Sequence, residues 1–143
     1  MKILFVCTGN TCRSPMALGL ARLYFPVEHE LASAGIHAYT GDAVSRHASE
    51  ALKEKGIDIS RHRATQLIRD SVEHADLILT MTHAQQDLLT EAYPEFQDKI
   101  KQIGDWAGLR KEITDPWQGS LATYRQCAAD IEEIIKAGVT RSL

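Results

Sequence analysis

The segment CTGNTCRSP, residues 7–15, holds a cysteine and an arginine with five residues between them. An arginine guanidinium presents a planar fork that matches two oxygens of a phosphate group. A cysteine beside such a cation is favoured as the thiolate, its nucleophilic form. Between them, Gly9 allows close backbone approach and Asn10 tolerates a left-handed conformation, so the loop can curl its N–H groups inward. This pattern predicts that Cys7 attacks a phosphate-like dianion held by Arg13.

The end of this segment has the features of a helix start. Pro15 suits the first helical position and Ser14 suits the N-cap. A helix N-terminus directed at the loop would add to its attraction for anions. A buried cysteine and a solvated arginine are the alternative for an isolated pair, but the apolar strand before the loop and the helix start after it favour a phosphate loop.

Expulsion of a poor leaving group from phosphorus calls for a proton donor elsewhere in the chain. Asp115, in TDPWQGS, is the best candidate. Pro116 stiffens the backbone beside it, and Trp117 could form an apolar wall of a pocket. An aspartate before proline is also common in turns, and a tryptophan is common in cores, so spacing alone leaves structural roles open for both.

Composition and charge narrow the class of protein. A chain of 143 residues, 44% hydrophobic and 24% charged, predicts one domain over residues 1–143. A net charge of −3 without a lysine and arginine cluster argues against nucleic acid as a partner. No apolar run approaches the roughly 18 residues of a membrane helix. The first run is too short for a signal peptide, and three cysteines fit reduced thiols in the cytoplasm.

Alternating apolar runs and helical patterns indicate the elements that position these residues. The predicted strands are residues 3–6, 30–36, 75–81 and 98–104. Helical spacing of apolar residues is found within 16–24, 44–56 and 124–135. The order β-α-β-α-β-α-β-α predicts an α/β fold, a doubly wound four-stranded parallel sheet with helices on both faces. Ligands bind such sheets at the carboxyl ends of the strands, where the phosphate loop follows strand 1, and the irregular segment 105–119 is a candidate functional loop.

Four motifs together resemble the low-molecular-weight protein tyrosine phosphatase family: VCTGNTCRSP, SAG at residues 33–35, HRATQL and DPWQGS. The match spans nearly the whole chain, and a Cys-x5-Arg loop on the first strand is highly specific to this family. The resemblance implies Cys7 as the nucleophile that forms a phosphocysteine, Arg13 as the phosphate clamp, and Asp115 as general acid and then base. It implies phosphorylated proteins as substrates, and neither a metal nor a cofactor.

The resemblance also assigns the residues around these three. The loop is expected to be held by hydrogen bonds among Asn10, Ser14, Ser33 and His62. Substrate contacts are expected from Thr8, Gly9, Asn10, Thr11, Cys12, Ser14 and Trp117.

Three departures from the phosphotyrosine-type enzymes bear on the substrate. Those enzymes usually carry an aliphatic residue at the position of Thr11 and an arginine at the position of Thr65, and they tend to have tyrosines where this chain has Trp117 and Gln118. The bacterial protein arginine phosphatases are similar to this chain in the loop threonine and the single aromatic residue after Asp-Pro. The sequence therefore favours phosphoarginine in proteins as the substrate, with phosphotyrosine as the alternative.

Two rival functions use the same loop. A thiol-coupled arsenate reductase needs further cysteines to relay a disulfide, and residues 80–92 contain none. A regulatory module that binds phosphate without turnover does not need Cys7, Arg13 and Asp115 together, so the presence of all three argues against this function.

The two remaining cysteines have different expected roles. Cys12 lies five residues after Cys7 and could trap an oxidised Cys7 as a disulfide, or it could simply fill space in the loop. Cys127 is expected in the core.

Overall fold

The computed structural model describes residues 1–142 and contains one four-stranded sheet. The strands are β1 (Lys2–Cys7), β2 (Glu30–Gly35), β3 (Leu77–Thr80) and β4 (Ile100–Gln102). All neighbouring strands are parallel, in the order β2-β1-β3-β4. The predicted parallel sheet is confirmed, and β1 has a partner on each side.

Helices cover both faces of the sheet, as predicted for a doubly wound fold. One face carries α1 (Arg13–Tyr24), α2 (Arg46–Lys53), α5 (Ile103–Trp106) and α6 (Leu121–Ser142). The other face carries α3 (Arg69–His74), α4 (His83–Ala92) and a 3₁₀ turn (Pro94–Lys99). Within residues 1–142, none of these helices has the length and apolarity to cross a membrane.

Strand β1 supplies side chains to both cores because successive residues of a strand point to opposite faces. Ile3 and Phe5 are fully buried against α1 and α6, whereas Leu4 and Val6 lie in the core beneath α3 and α4. Burial of each such side chain contributes about 1.5–3 kcal/mol, so a slip of register by one residue would be costly. This register places Cys7 at the carboxyl end of a central strand, on the α1 side.

Several predicted boundaries were wrong for local reasons. Helix α2 ends at Lys53 and not at Gly56, because the chain tightens into i to i+3 hydrogen bonds and Gly56 takes a left-handed φ of 79°. Strand β4 is short because the side chain of Gln102 accepts the N–H of Asp105 and thereby starts α5. Helices α3 and α5 lack an apolar pattern long enough to identify them.

Helix α6 confirms the expected place of Cys127. The thiol is buried among Ile131, Ile134 and other core residues. Burial raises the pKa of Cys127 to about 12, so this cysteine stays protonated and unreactive at neutral pH.

Candidate active site

The loop that follows β1 enters α1 earlier than predicted. Helix α1 begins at Arg13 with Cys12 at the N-cap, so the expectation of Ser14 as N-cap and Pro15 as first helical residue was wrong. Ser14 does not cap the helix because its hydroxyl lies 2.9 Å from the Cys7 Sγ. Pro15 is tolerated as the third residue of the helix because the first N–H groups of a helix have no intrahelical acceptor.

Asn10 is the structural centre of the loop. It is fully buried and has a left-handed φ of 57°, as its residue type predicted. Its side-chain nitrogen donates to the hydroxyls of Ser14 at 2.7 Å and Ser33 at 3.0 Å. Its side-chain oxygen accepts the backbone N–H of Thr65 at 2.9 Å. One amide therefore joins the loop to β2 and to the segment that follows α2.

His62 completes this hydrogen-bond network from the other side. Its Nε2 lies 2.9 Å from the backbone oxygen of Asn10, and because a carbonyl only accepts, Nε2 carries the hydrogen. Burial lowers the pKa of His62 below its usual value, although the bond to Asn10 opposes the shift. A neutral imidazole at pH 7 follows. The structure thus brings together all four residues that the family resemblance implied.

The sulfur of Cys7 faces two hydrogen-bond donors. The backbone N–H of Asn10 donates to Sγ at 3.3 Å, and the Ser14 hydroxyl, which accepts from the Asn10 side chain, can turn its hydrogen to the same sulfur. Donors directed at one sulfur stabilise a negative charge on it. The geometry suits a thiolate.

Arg13 and Asp115 line the same pocket as Cys7. The Arg13 side chain is buried, and one terminal nitrogen donates to the backbone oxygen of Ile113 at 3.0 Å. The other terminal nitrogen is 3.7 Å from Oδ2 of Asp115. The second carboxylate oxygen of Asp115 accepts the N–H of Trp117 at 3.0 Å, which orients the carboxylate within its loop. A buried guanidinium is costly without partners, so these contacts fix where its fork lies.

These side chains share one small pocket of about 200 Å³. It is lined by Cys7, Thr8, Gly9, Thr11, Cys12, Arg13, Asp115 and Trp117. Asn10 and Ser14, expected to contact the substrate, are fully buried and do not line the pocket. Trp117 is 68% exposed and stands at the rim, so it is not a core residue. A larger surface groove of about 650 Å³ borders α2 but contains neither cysteine nor histidine, so the small pocket is the better candidate site.

Residues far along the chain support the site, and the sequence analysis missed them. Gln85 pairs with Thr82 in a capping box at the start of α4, a T-x-x-Q pattern that is recognisable in the sequence. The side chain of Gln85 also donates to the hydroxyl of Thr8. Tyr124 of α6 lies 3.6 Å from the Cys12 sulfur, and burial raises the pKa of its hydroxyl to about 12.

His83 anchors the loop that carries Asp115. Its Nε2 lies 2.8 Å from a carboxylate oxygen of Asp105, and its Nδ1 lies 2.9 Å from Oε1 of Glu112. The hydrogen bond to Asp105 is the main cause that raises the pKa of His83 above its usual value. The start of α4 is thereby tied to a residue three positions before Asp115. No local pattern could reveal this contact, because the partners are 22 and 29 residues away.

Comparison with known proteins agrees with this geometry. The family model described as low molecular weight phosphotyrosine protein phosphatase matches residues 2–141. A protein-arginine-phosphatase of Geobacillus stearothermophilus is 40% identical over 135 residues, which cover 94% of this chain and 90% of the relative. A protein-arginine-phosphatase of Bacillus subtilis is 36% identical over 140 residues, covering 95% and 93%.

A solved structure gives the same result for the fold. The low molecular weight protein tyrosine phosphatase of T. tengcongensis superposes with a TM-score of 0.93 at 39% identity, and the alignment covers 99% of each chain. The chain therefore belongs to the low molecular weight phosphotyrosine protein phosphatase family and is a phosphatase, as its motifs indicated.

Proposed function

We propose that this phosphatase removes phosphate from phosphoarginine residues of proteins through a phosphocysteine intermediate and without a metal. One observation carries the proposal: a single small pocket holds Cys7, Arg13 and Asp115 together, although the last is more than a hundred residues from the first. These three side chains supply a nucleophile, a phosphate clamp and a proton donor.

In the first step the Cys7 thiolate attacks phosphorus and the phosphorus–nitrogen bond breaks. The leaving guanidine nitrogen takes the proton from the carboxyl group of Asp115. The Arg13 fork binds two of the phosphoryl oxygens as negative charge builds on them. Its bond to the Ile113 carbonyl supports this role, because it holds the guanidinium before substrate arrives.

In the second step a water attacks the phosphocysteine. Asp115, now a carboxylate, takes the proton from that water, and the sulfur–phosphorus bond breaks. Inorganic phosphate leaves and the Cys7 thiolate is restored. The donors directed at Sγ stabilise the negative charge that returns to the sulfur, so they favour departure of the thiolate.

The pocket wall supports phosphoarginine over phosphotyrosine. A phosphoarginine presents N–H groups that need acceptors, and Thr11 places a hydroxyl on the wall where an aliphatic side chain would offer none. The exposed ring of Trp117 offers a flat face on which a guanidinium can stack. Two of the relatives are named for arginine phosphatase activity. Phosphotyrosine stays the second candidate, because the family and the solved structure above are named for it.

Competing substrates test the proposal. One peptide is prepared with phosphoarginine and, at the same position, with phosphotyrosine, and kcat/KM is measured for both with a metal chelator present. We expect the wild type to prefer phosphoarginine. Thr11→Ile should lower turnover of phosphoarginine and raise that of phosphotyrosine, because a site that loses a polar partner discriminates more strongly than one that loses a methylene contact.

Thr11→Val is the matched control, since it removes the hydroxyl and keeps the size. If valine leaves the ratio unchanged while isoleucine shifts it, space and not hydrogen bonding selects the substrate. If wild type prefers phosphotyrosine and neither variant shifts the kcat/KM ratio, the protein acts as a tyrosine phosphatase and the proposal is wrong. Loss of all activity on chelation would contradict the metal-free mechanism.

We further infer a cytoplasmic location and phosphorylated proteins as partners. All three cysteines are free, which suits a reducing compartment. A small pocket beside an exposed tryptophan also suits a side chain presented by a large substrate.

A further inference from the structure

The orientation of one buried amide has a consequence for the phosphate pocket. Gln85 is only 4% exposed, and its Oε1 accepts the backbone N–H groups of Met81 at 3.0 Å and Thr82 at 3.1 Å. A flipped amide would set its NH₂ group against two N–H donors. The oxygen is therefore fixed on that side, and the nitrogen must face the other way.

The nitrogen of Gln85 faces the phosphate loop. Its Nε2 lies 3.1 Å from Oγ1 of Thr8, and because the amide nitrogen can only donate, Thr8 accepts this bond. A hydroxyl has one hydrogen and two lone pairs, so the hydrogen of Thr8 has to point elsewhere. Among residues 1–142 it has no acceptor.

Thr8 lies where that hydrogen can meet a substrate. It is exposed, and it shares the pocket wall with Cys7 and Arg13. Its backbone oxygen is fixed by the N–H of His37 at 2.9 Å, so the residue does not swing freely. An anion in the pocket would find a hydroxyl hydrogen on this side and the guanidinium of Arg13 nearby.

We propose that Gln85 is a positioning residue that sets the Thr8 hydroxyl as a hydrogen-bond donor to a phosphoryl oxygen of the substrate. The inference rests on the proposed function for the presence of a phosphoryl group, but not on which amino acid carries that group. Thr8 touches the substrate, whereas Gln85 acts only through Thr8. A donor of this kind contributes most in the transition state, when charge on the phosphoryl oxygens is greatest.

Gln85→Glu is the informative substitution. Glutamate has nearly the same shape and still accepts the two backbone N–H groups with one oxygen. Its other oxygen is an acceptor, however, so the Thr8 hydroxyl would turn its hydrogen toward the carboxylate and away from the pocket. Thr8→Val removes the hydroxyl altogether, and Thr8→Ser restores it. Since Thr8 is exposed, neither change at that position should prevent folding.

The experiment measures the inhibition constant of inorganic phosphate and kcat/KM for para-nitrophenyl phosphate in these variants and in the Gln85→Glu, Thr8→Val double variant. We expect Thr8→Val and Gln85→Glu each to lower kcat/KM by about tenfold or more, as loss of one transition-state donor does. In the Thr8→Val background, Gln85→Glu should add little, because the hydroxyl through which it acts is gone. Thr8→Ser keeps the hydroxyl, so it should retain more activity than Thr8→Val and should stay sensitive to Gln85→Glu.

Gln86→Glu controls for charge, because it adds the same charge one residue further along α4, where the side chain donates to the carbonyl of Ile100. If Gln85→Glu has the same effect with and without the Thr8 hydroxyl, it acts through charge or folding and the proposal is overturned. An unaffected Thr8→Val overturns it as well. If phosphate binding shows the expected coupling but no phosphoarginine or phosphotyrosine peptide is hydrolysed, the proposed function fails and the role of Gln85 stands.

Discussion

Replacement of Asn10 tests how much one amide contributes to the fold around the phosphate loop. Asn10→Ala removes three hydrogen bonds, two donated to Ser14 and Ser33 and one accepted from Thr65. Each such bond contributes about 1 kcal/mol net. The left-handed backbone that asparagine tolerates costs alanine about 1–2 kcal/mol more. The expected loss in free energy of unfolding is therefore about 4 kcal/mol, a large share of a typical domain's stability.

The assay is equilibrium unfolding in urea followed by circular dichroism, with activity measured on the folded fraction. Two matched variants separate the contributions. Asn10→Gly loses the same three bonds, but glycine adopts a left-handed φ without steric cost. This variant should therefore be about 1 kcal/mol more stable than the alanine variant. Ser33→Ala loses a single bond and should cost about 1 kcal/mol. A loss below about 1 kcal/mol for Asn10→Ala would refute the assignment of Asn10 as the centre of the loop.

Three further outcomes are expected. Asp115→Asn should lower turnover of phenyl phosphate by about a hundredfold or more but that of para-nitrophenyl phosphate far less, because the better leaving group needs little protonation; equal losses would remove Asp115 from the acid role. Cys12→Ser should recover less activity than wild type after peroxide and then reductant, because no neighbouring thiol can trap oxidised Cys7; equal recovery would leave Cys12 a packing residue. The hydrogen bond to Asp105 raises the pKa of His83 in the folded protein. Protonated His83 therefore stabilises the fold fully below its unfolded-state pKa of about 6.5, and this contribution is lost as pH rises through the higher pKa of the folded state. From pH 6 to pH 9, the free energy of unfolding measured in urea should therefore decrease more for wild type than for His83→Gln. Equal decreases in the two proteins would contradict this.

Local chemistry was sufficient to predict the strand and the turn of the first motif, but not the start of its helix. The apolar run ahead of Cys7 predicted the central strand, and Asn10 predicted the left-handed turn. The start of α1 was misplaced because the Ser14 side chain bonds to Cys7 and Asn10 in the loop and not to the helix terminus. Residue type alone does not show which of two partners a hydroxyl takes.

Contacts between distant segments could not be predicted from residue types. The carbonyl of Ile113 that accepts from Arg13 belongs to the backbone, and because every residue has one, residue type does not identify it. The roles of Ser33 and His62 were assigned only from the family resemblance. In the sequence Gln85 looks like any other capping residue, and only the fold brings its side chain to Thr8. Tertiary packing decides these contacts.

The long-range contacts of the phosphate loop set the order of events when the protein is made. The loop bonds to Thr65, Gln85, Ile113 and Tyr124 across sequence separations of 55, 77, 100 and 112 residues. Each contact requires closure of a long stretch of chain, so the loop takes its shape late in folding. At ribosomal speed, Tyr124 is added on the order of ten seconds after Cys12. A stalled or truncated chain therefore carries the complete CTGNTCRSP motif without an assembled nucleophile.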